Sequence, residues 1–188
     1  METTLSNQSR SIVHGDQGGR DVIKNYYSVS SSQVAGWLKL LESQIESQNK
    51  DARDKFVQSL QFFVDRRDEA DVVGLKDKIE KSTFKIDYYS ALKKKEEFSK
   101  LLMKYQEFSS AQELFAYFLS IIHDVFDEKI CPIIGELSYL DMQKIVDDQI
   151  IDKIFNEIGD GSDMLLINRN HVRGMIYWLA DKCYVRWH

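Results

Sequence analysis

Three aspartates close together on one predicted helix are the residues of this sequence most suited to chemistry. Asp147, Asp148 and Asp152 fall within six positions, and Asp148 and Asp152 are one helical turn apart. Carboxylates can hold the divalent cations of a nuclease where element ends bring them together beside a basic residue. The simpler interpretation is a polar helix face opposite Ile145 and Ile150. A metal-dependent nuclease, or another effector enzyme that uses Asp147 and Asp148, is therefore the alternative function.

The histidines and cysteines form no recognisable metal or catalytic motif. No two of the four histidines are four residues apart, and the sequence lacks HExxH, CxxC and the calcium loop of an EF-hand. The spacing of Cys131, His171 and Cys183 gives a zinc site no support. His123 lies inside an apolar helix pattern, which favours a hydrogen-bonded core or boundary histidine. The residues therefore predict no catalytic activity, no metal and no cofactor.

The composition is that of a globular protein without a targeting segment. The chain has 188 residues, of which 43% are hydrophobic and 29% charged, and a formal net charge of −5. This charge disfavours coating of nucleic acid, so direct binding through Arg20, Lys24 and residues 93–95 is a weak third hypothesis. The sequence has neither a signal peptide nor a membrane-spanning stretch. With only two cysteines, the expected location is the reducing cytoplasm.

Residues 33–188 are predicted to form a mainly α, multi-helix domain. Apolar residues recur every three or four positions in successive segments, most clearly over 111–126. Ser110 and Glu113 have the spacing of a capping box at the start of that helix. Ser138 offers an N-cap to a later helix. The pattern indicates a helical core with an apolar, aromatic helix at its centre.

Residues 1–32 differ in composition and are predicted to form a glycine-containing, β-hairpin-like arm. Gly15, Gly18 and Gly19 lie between two short runs typical of β-structure. A single hairpin is marginally stable, so the arm is expected to pair with a partner's sheet edge or with a second copy of itself. A phosphate-binding loop is disfavoured because the Lys-Ser/Thr pair of a P-loop is absent. The residues of this arm predicted to contact a partner are Arg20, Val22, Ile23 and Tyr26.

The C-terminal segment, residues 174–188, combines a short helix with an extended end rich in aromatic residues. Met175, Ile176 and Leu179 recur at helical spacing, whereas the side chains after Lys182 alternate as in an extended strand. Aromatic side chains bury large areas and are enriched at protein interfaces. The residues predicted to dock onto a partner are Trp178, Tyr184, Arg186 and Trp187. The alternative is that these aromatic side chains close the chain's own core.

Several stretches, taken in order, resemble the C-terminal domain of effector components from prokaryotic ABC-three-component conflict systems. They are DVVGLKDKI at 71–79, KEEFSK at 95–100, SAQELFAYF at 110–118, ICPII at 130–134, and GMIYWL at 174–179 followed by CYVRW at 183–187. The leading GDQGGRDV at 15–22 is similar to glycine-aspartate β motifs found beside such domains. The resemblance covers most of residues 35–188, and the order of the stretches carries it.

The resemblance implies a non-catalytic role in defence against phages or plasmids. Such a domain attaches an effector to an SMC-like ABC ATPase and a small middle component, so DNA is met only indirectly, through the complex. Relatives usually carry a separate N-terminal effector domain, whereas only about 30 residues precede the helices here, too few for an enzyme domain. The resemblance therefore implies an assembly or adaptor subunit, or a system whose effector lies on another chain. Residues 180–182 are Ala-Asp-Lys where relatives tend to have Thr-Gly-Asn, so a different turn is expected there.

Overall fold

The computed structural model of the chain is mainly helical, as the sequence predicts. It describes residues 29–52, 56–65, 67, 72 and 74–187, and these residues form helices and turns but no strand. The α-helices are α1 (Ser31–Glu46), α2 (Gln58–Val64), α3 (Gly74–Lys81), α4 (Tyr88–Tyr105), α5 (Ser109–Val125), α6 (Tyr139–Val146), α7 (Asp152–Ile158), α8 (Ser162–Leu165) and α9 (Arg169–Asp181). Short 3₁₀ turns lie at Cys131–Ile133 and Gly159–Gly161. None of these helices is long and apolar enough to cross a bilayer.

Residues 1–28 of the predicted N-terminal arm lie outside the described residues. They include the four predicted contact residues Arg20, Val22, Ile23 and Tyr26. The next element, α1, begins at Ser31, two residues before the predicted start of the helical domain. Ser30 is its N-cap, and its side chain accepts a hydrogen bond from the N–H of Gln33 at 3.3 Å. Ser30 thus begins the helix by satisfying one of its free N–H groups.

Helix α5 is the central element of the fold. Every residue from Leu114 to His123 is buried, which confirms the predicted core helix. A helix that is buried on all sides needs neighbours around its whole circumference. The helices α1, α2, α4 and α9 supply these neighbours. The core is therefore assembled around α5 from elements that are far apart in the sequence.

The predicted capping box at the start of α5 is wrong. Ser110 is the second residue of the helix, and its Oγ donates a hydrogen bond to Oε1 of Gln44 at 2.5 Å. A free N–H at the helix start is satisfied by a residue outside the helix, because Oδ1 of Asp51 accepts from the N–H of Ser109 at 2.9 Å. Oδ2 of Asp51 also accepts from Oγ of Ser109. Glu113 instead accepts a hydrogen bond from Oγ of Ser59 at 2.8 Å, and Asp51 in the loop after α1 supplies the cap.

Two π-helical turns keep buried side chains in register. The turns are Phe126–Ile130, which continues α5, and Asp147–Ile151, which joins α6 to α7. Apolar residues recur there every four positions, namely Phe118, Ile122, Phe126 and Ile130, and Val146, Ile150, Ile154 and Ile158. In a regular α-helix each four-residue step rotates the side chain by about 40°, which would turn the stripe out of the core. The wider π turn absorbs this rotation, and all eight side chains stay buried.

Candidate functional site

The predicted docking segment at the C-terminus packs against the chain's own core. After α9, residues 182–184 form a turn and a bend in which Cys183 has a φ of 68°, so the predicted extended segment does not begin directly after Lys182. Residues 185–187 follow without forming a strand, and Trp187 is only 1% exposed. Trp178 and Tyr184 are also buried, and the ring of Trp187 lies 5.7 Å from that of Tyr177. The aromatic side chains thus close the core, which is the alternative that the sequence left open. Of the four predicted docking residues, only Arg186 is exposed. Their contact with a partner stays a prediction.

We call residues 182–187 the tail. The buried ammonium group of Lys78 is hydrogen-bonded to the backbone of the tail at Val185. Lys78 is a fully buried residue of α3, and its Nζ donates to the carbonyl oxygen of Val185 at 2.8 Å. A buried charge is tolerated only when hydrogen bonds replace its hydration. Beside it, Sγ of Cys131 lies 4.0 Å from the carbonyl oxygen of Arg186. Burial, helped by the charge of Asp127, raises the pKa of the Cys131 thiol, which disfavours a role as a nucleophile.

An aromatic cluster attaches the same tail to α2. The hydroxyl of Tyr184 donates to the carbonyl oxygen of Phe62. The guanidinium carbon of Arg67 lies 4.6 Å from the centroid of the Tyr184 ring, a cation–π geometry. The backbone N–H of Arg67 donates to the carbonyl oxygen of Lys182 at 3.2 Å. Burial raises the pKa of Tyr184, although the nearby charge of Arg67 opposes this shift. The tail is therefore anchored by residues on both sides of the α2–α3 connection.

Asp181, the last residue of α9, links α9 to two other helices. Its Oδ1 accepts from the N–H of Leu75 at the start of α3, at 3.1 Å. Its Oδ2 forms an ion pair with Nζ of Lys95 on α4, at 3.0 Å. A carboxylate at a helix N-terminus satisfies a free N–H and complements the helix dipole. Lys95, one of the residues named for the nucleic-acid hypothesis, is partly buried in this pair. Asp181 thus joins α9 to α3 and α4.

The acidic residues of the alternative function are paired with arginines of α9. Nη2 of Arg173 lies 2.7 Å from Oδ1 of Asp147, and Nη2 of Arg169 lies 3.0 Å from Oδ1 of Asp152. Asp148 is exposed. Among the described residues, no group of three or more His, Cys, Asp or Glu could hold a metal ion. Two of the three carboxylates therefore have guanidinium partners where a nuclease would need a cation.

Of the two described histidines, His171 caps a helix and His123 is buried in the core. Nδ1 of His171 accepts from the N–H of Asn168 at 3.1 Å, and Oδ1 of Asn168 accepts from the N–H of His171 at 3.0 Å. This is a capping box at the start of α9. Burial lowers the pKa of His171, against a smaller opposing effect of Glu97, and so favours the neutral imidazole that can accept. His123 is buried in α5, as predicted, although its Nδ1 has no hydrogen-bond partner among the described residues.

Exposed apolar side chains are the surface feature that sequence analysis missed. Leu140 is 76% exposed at the start of α6, and Tyr139 and Ile133 are partly exposed nearby in the sequence. On α4, Tyr89 is 78% exposed and Met103 is 65% exposed. Apolar periodicity finds helices, but it does not identify which apolar positions are left uncovered once the helices pack. The one signal in the sequence is that these residues lie off the apolar stripe of their own helix.

A family model for C-terminal domain 9 (CTD9) of the ABC-three component (ABC-3C) systems matches residues 74–187. The chain belongs to this family. The resemblance seen in the sequence is thereby confirmed. No curated protein and no solved structure matches the chain. The CTD9 region begins at the first residue of α3 and ends at Trp187, so it contains Lys78, Asp181 and the buried tail, whereas α1 and α2 precede it.

Proposed function

We propose that this chain is a non-catalytic assembly subunit of an ABC-3C defence system, acting in the cytoplasm. It docks onto an SMC-like ABC ATPase and a small middle component, and it meets DNA only through that complex. The match of residues 74–187 to CTD9 carries this proposal, because membership of a three-component system implies partner components. A role in defence against phages or plasmids follows from the same membership.

The contacts of the polar residues support an assembly role over catalysis. Asp147 and Asp152 are paired with arginines, and His171 caps a helix. Cys131 has a raised pKa. Each of these side chains is accounted for by the packing of the domain, and none faces a second catalytic group within hydrogen-bond reach. The polar chemistry of these four side chains therefore serves the fold.

The exposed surface beside the buried tail is the best candidate for docking. Ile133, Tyr139 and Leu140 lie within eight residues of the chain, and all three are exposed apolar side chains. Cys131, just before them, contacts the backbone of the exposed Arg186. Exposed apolar side chains rimmed by polar ones mark interaction sites. The proposed docking surface thus consists of residues 133–140 with Arg186, next to the aromatic side chains that the sequence singled out.

Co-purification with the other two components of the same system tests this function. The tagged full chain is co-expressed with the ATPase and the middle component, and the complex is quantified after affinity purification. Leu140→Asp is expected to abolish recovery of the partners. Leu40→Asp, which changes a 46% exposed leucine on α1, is the matched control and is expected to retain them. If the unmodified chain recovers neither partner, the assembly role is wrong; equal recovery by both variants moves the docking surface elsewhere.

The alternative, an effector nuclease that uses Asp147 and Asp148, makes a separate prediction. DNA cleavage by the chain or its complex would depend on a divalent cation and would be lost in Asp148→Ala without loss of the fold. Asp148 is exposed, so this substitution tests chemistry and not packing. Such cleavage would replace the assembly role with an effector role.

A further inference from the structure

The first three residues of the tail contact the connection between α2 and α3. The carbonyl oxygen of Lys182 accepts a hydrogen bond from the backbone N–H of Arg67, and the guanidinium of Arg67 lies over the ring of Tyr184. Sγ of Cys183 lies 4.0 Å from the carbonyl oxygen of Val72, further along the same connection. This half of the tail is therefore attached to the segment that leads into the family-matched region.

The other half of the tail lies beside the proposed docking surface. Sγ of Cys131, just before that surface in the sequence, is 4.0 Å from the carbonyl oxygen of Arg186. The ring of Trp187 packs on Tyr177. Burial raises the pKa of Tyr177 and the proximity of Tyr139 raises it further, so Tyr139 of the docking surface lies near this ring pair. The tail thus extends from the α2–α3 connection to the docking surface.

Between these two ends the tail is short and anchored. Cys183, Val185 and Trp187 are buried, and Nζ of Lys78 donates to the carbonyl oxygen of Val185 at 2.8 Å. Close-packed interiors transmit displacements from one side chain to the next. Six residues that are packed at both ends and hydrogen-bonded in the middle therefore move together, and a change at one end alters the contacts at the other.

The contacts with the connection are the ones that open most easily. One backbone hydrogen bond and one cation–π contact hold Arg67 to the tail, and each is small beside the burial of the helical core. The connection can therefore separate from the tail through a local opening, without unfolding of the core. The N–H of Arg67 reports this opening directly, because it exchanges with solvent when its bond to Lys182 breaks.

We propose that the tail is a strap that couples the docking surface to the connection between α2 and α3. A partner bound beside Arg186 holds the strap in its closed position, and the closed strap holds the connection against α9. Opening of the connection weakens the binding of that partner, because coupling between two sites is reciprocal. The inference rests on the proposed function for the docking surface, whereas the coupling along the tail is a property of the chain alone.

Amide hydrogen exchange of the full chain, resolved by residue with NMR, tests the coupling without a partner. Lys78→Met removes the bond to Val185 and is expected to accelerate exchange of the Arg67 amide at least fivefold. Lys76→Met, at an exposed lysine of the same helix, is the matched control and should leave this rate unchanged. Trp187→Phe loosens the other anchor and should act in the same direction as Lys78→Met, so the test does not depend on one variant.

Two controls separate opening of the strap from unfolding of the whole chain. The N–H of Ala52 donates to the carbonyl oxygen of Glu107 at 3.1 Å, outside the tail, and its exchange should change less than twofold in Lys78→Met. Leu41→Ala removes a buried leucine of α1 and should leave the Arg67 rate unchanged. An unchanged Arg67 rate in both tail variants would overturn the inference. Equal acceleration in Leu41→Ala would overturn it too, because Arg67 would then exchange by global unfolding.

Co-purification with the ATPase and the middle component tests the coupling from the other end. Arg67→Ala/Tyr184→Phe loosens the contacts with the connection, outside the docking surface, and is expected to reduce recovery of the partners at least threefold. Recovery equal to that of the wild type would overturn the coupling. If the wild type recovers neither partner, the proposed function is wrong, while the exchange rates of the chain alone still decide whether the tail is a strap.

Discussion

Gly174 of α9 lies so close to Lys94 of α4 that a Cβ atom placed on it would be 2.2 Å from the Lys94 carbonyl oxygen. The nearest side-chain atom, Cβ of Phe98, would lie 3.0 Å from that added Cβ. The two helices therefore touch through their backbones at this point. This close approach brings Trp178, one turn further along α9, edge-on to Phe98 with ring centroids 5.8 Å apart.

Gly174→Ala is expected to destabilise the protein by about 2 kcal/mol or more, because the clash is with backbone atoms that cannot rotate away. Gly36→Ala is the control: nothing lies within 4 Å of its added Cβ, so replacing a glycine inside α1 should stabilise by up to about 1 kcal/mol. Urea unfolding followed by circular dichroism measures both. Similar stability of Gly174→Ala and the wild type would show that α4 and α9 can separate at no cost.

The position of Gly174 illustrates what the sequence could predict. The stretch containing it was matched to the family correctly, and α9 was expected as a helix from its apolar spacing. No local pattern indicates that the glycine is required by another helix, because that helix lies about 80 residues earlier. Local periodicity specifies elements, whereas helix-to-helix contacts depend on shapes that form only after folding.

Lys78→Met is expected to destabilise the protein by about 1–3 kcal/mol, because the buried carbonyl of Val185 loses its hydrogen-bond donor. Lys76→Met, on the same helix but exposed and in a weak pair with Glu80, should change stability by less than about 0.5 kcal/mol. Unfolding in urea is followed by circular dichroism and by the combined fluorescence of Trp37, Trp178 and Trp187. An unchanged midpoint for Lys78→Met would mean that the tail is held without this bond.

The burial of the tail shows the same limit of prediction from sequence. The aromatic residues at the C-terminus were identified as important, but exposed and buried aromatic residues have the same local pattern. The ring of Trp187 packs on Tyr177, and the nearby carbonyl of Val185 is held by Lys78, which lies 107 residues earlier in the chain. Conversely, local periodicity does not single out Leu140, and only the packed fold shows that its side chain is 76% exposed.

The His171–Asn168 capping box should make stability depend on pH. The pKa of His171 is lower in the folded chain than its ordinary value of 6.5, so the unfolded chain takes up the proton first. The contribution of the cap is therefore complete above about pH 6.5 and is lost as the pH falls through the folded pKa. His171→Gln keeps an acceptor that does not titrate. Between pH 8 and pH 5.5 it should lose less stability than the wild type, and an equal loss would exclude His171 as the titrating group.

The helices that precede the family-matched region should be required for its stability. Leu41 of α1 and Phe63 of α2 are fully buried in the same core as α5, and Ser110 of α5 is hydrogen-bonded to Gln44 of α1. Leu41→Ala is expected to cost about 2–5 kcal/mol, because it removes a buried leucine and leaves a cavity.

Leu40→Ala, one residue earlier on α1, is the internal control. Its side chain is 46% exposed, so stability should change by less than about 0.5 kcal/mol. Both are measured by urea unfolding in the full chain. An equally small loss of stability for both substitutions would mean that α1 is not part of the cooperative unit and that residues 74–187 fold alone. A large effect confined to Leu41 would instead extend the folding unit of this CTD9 member to α1.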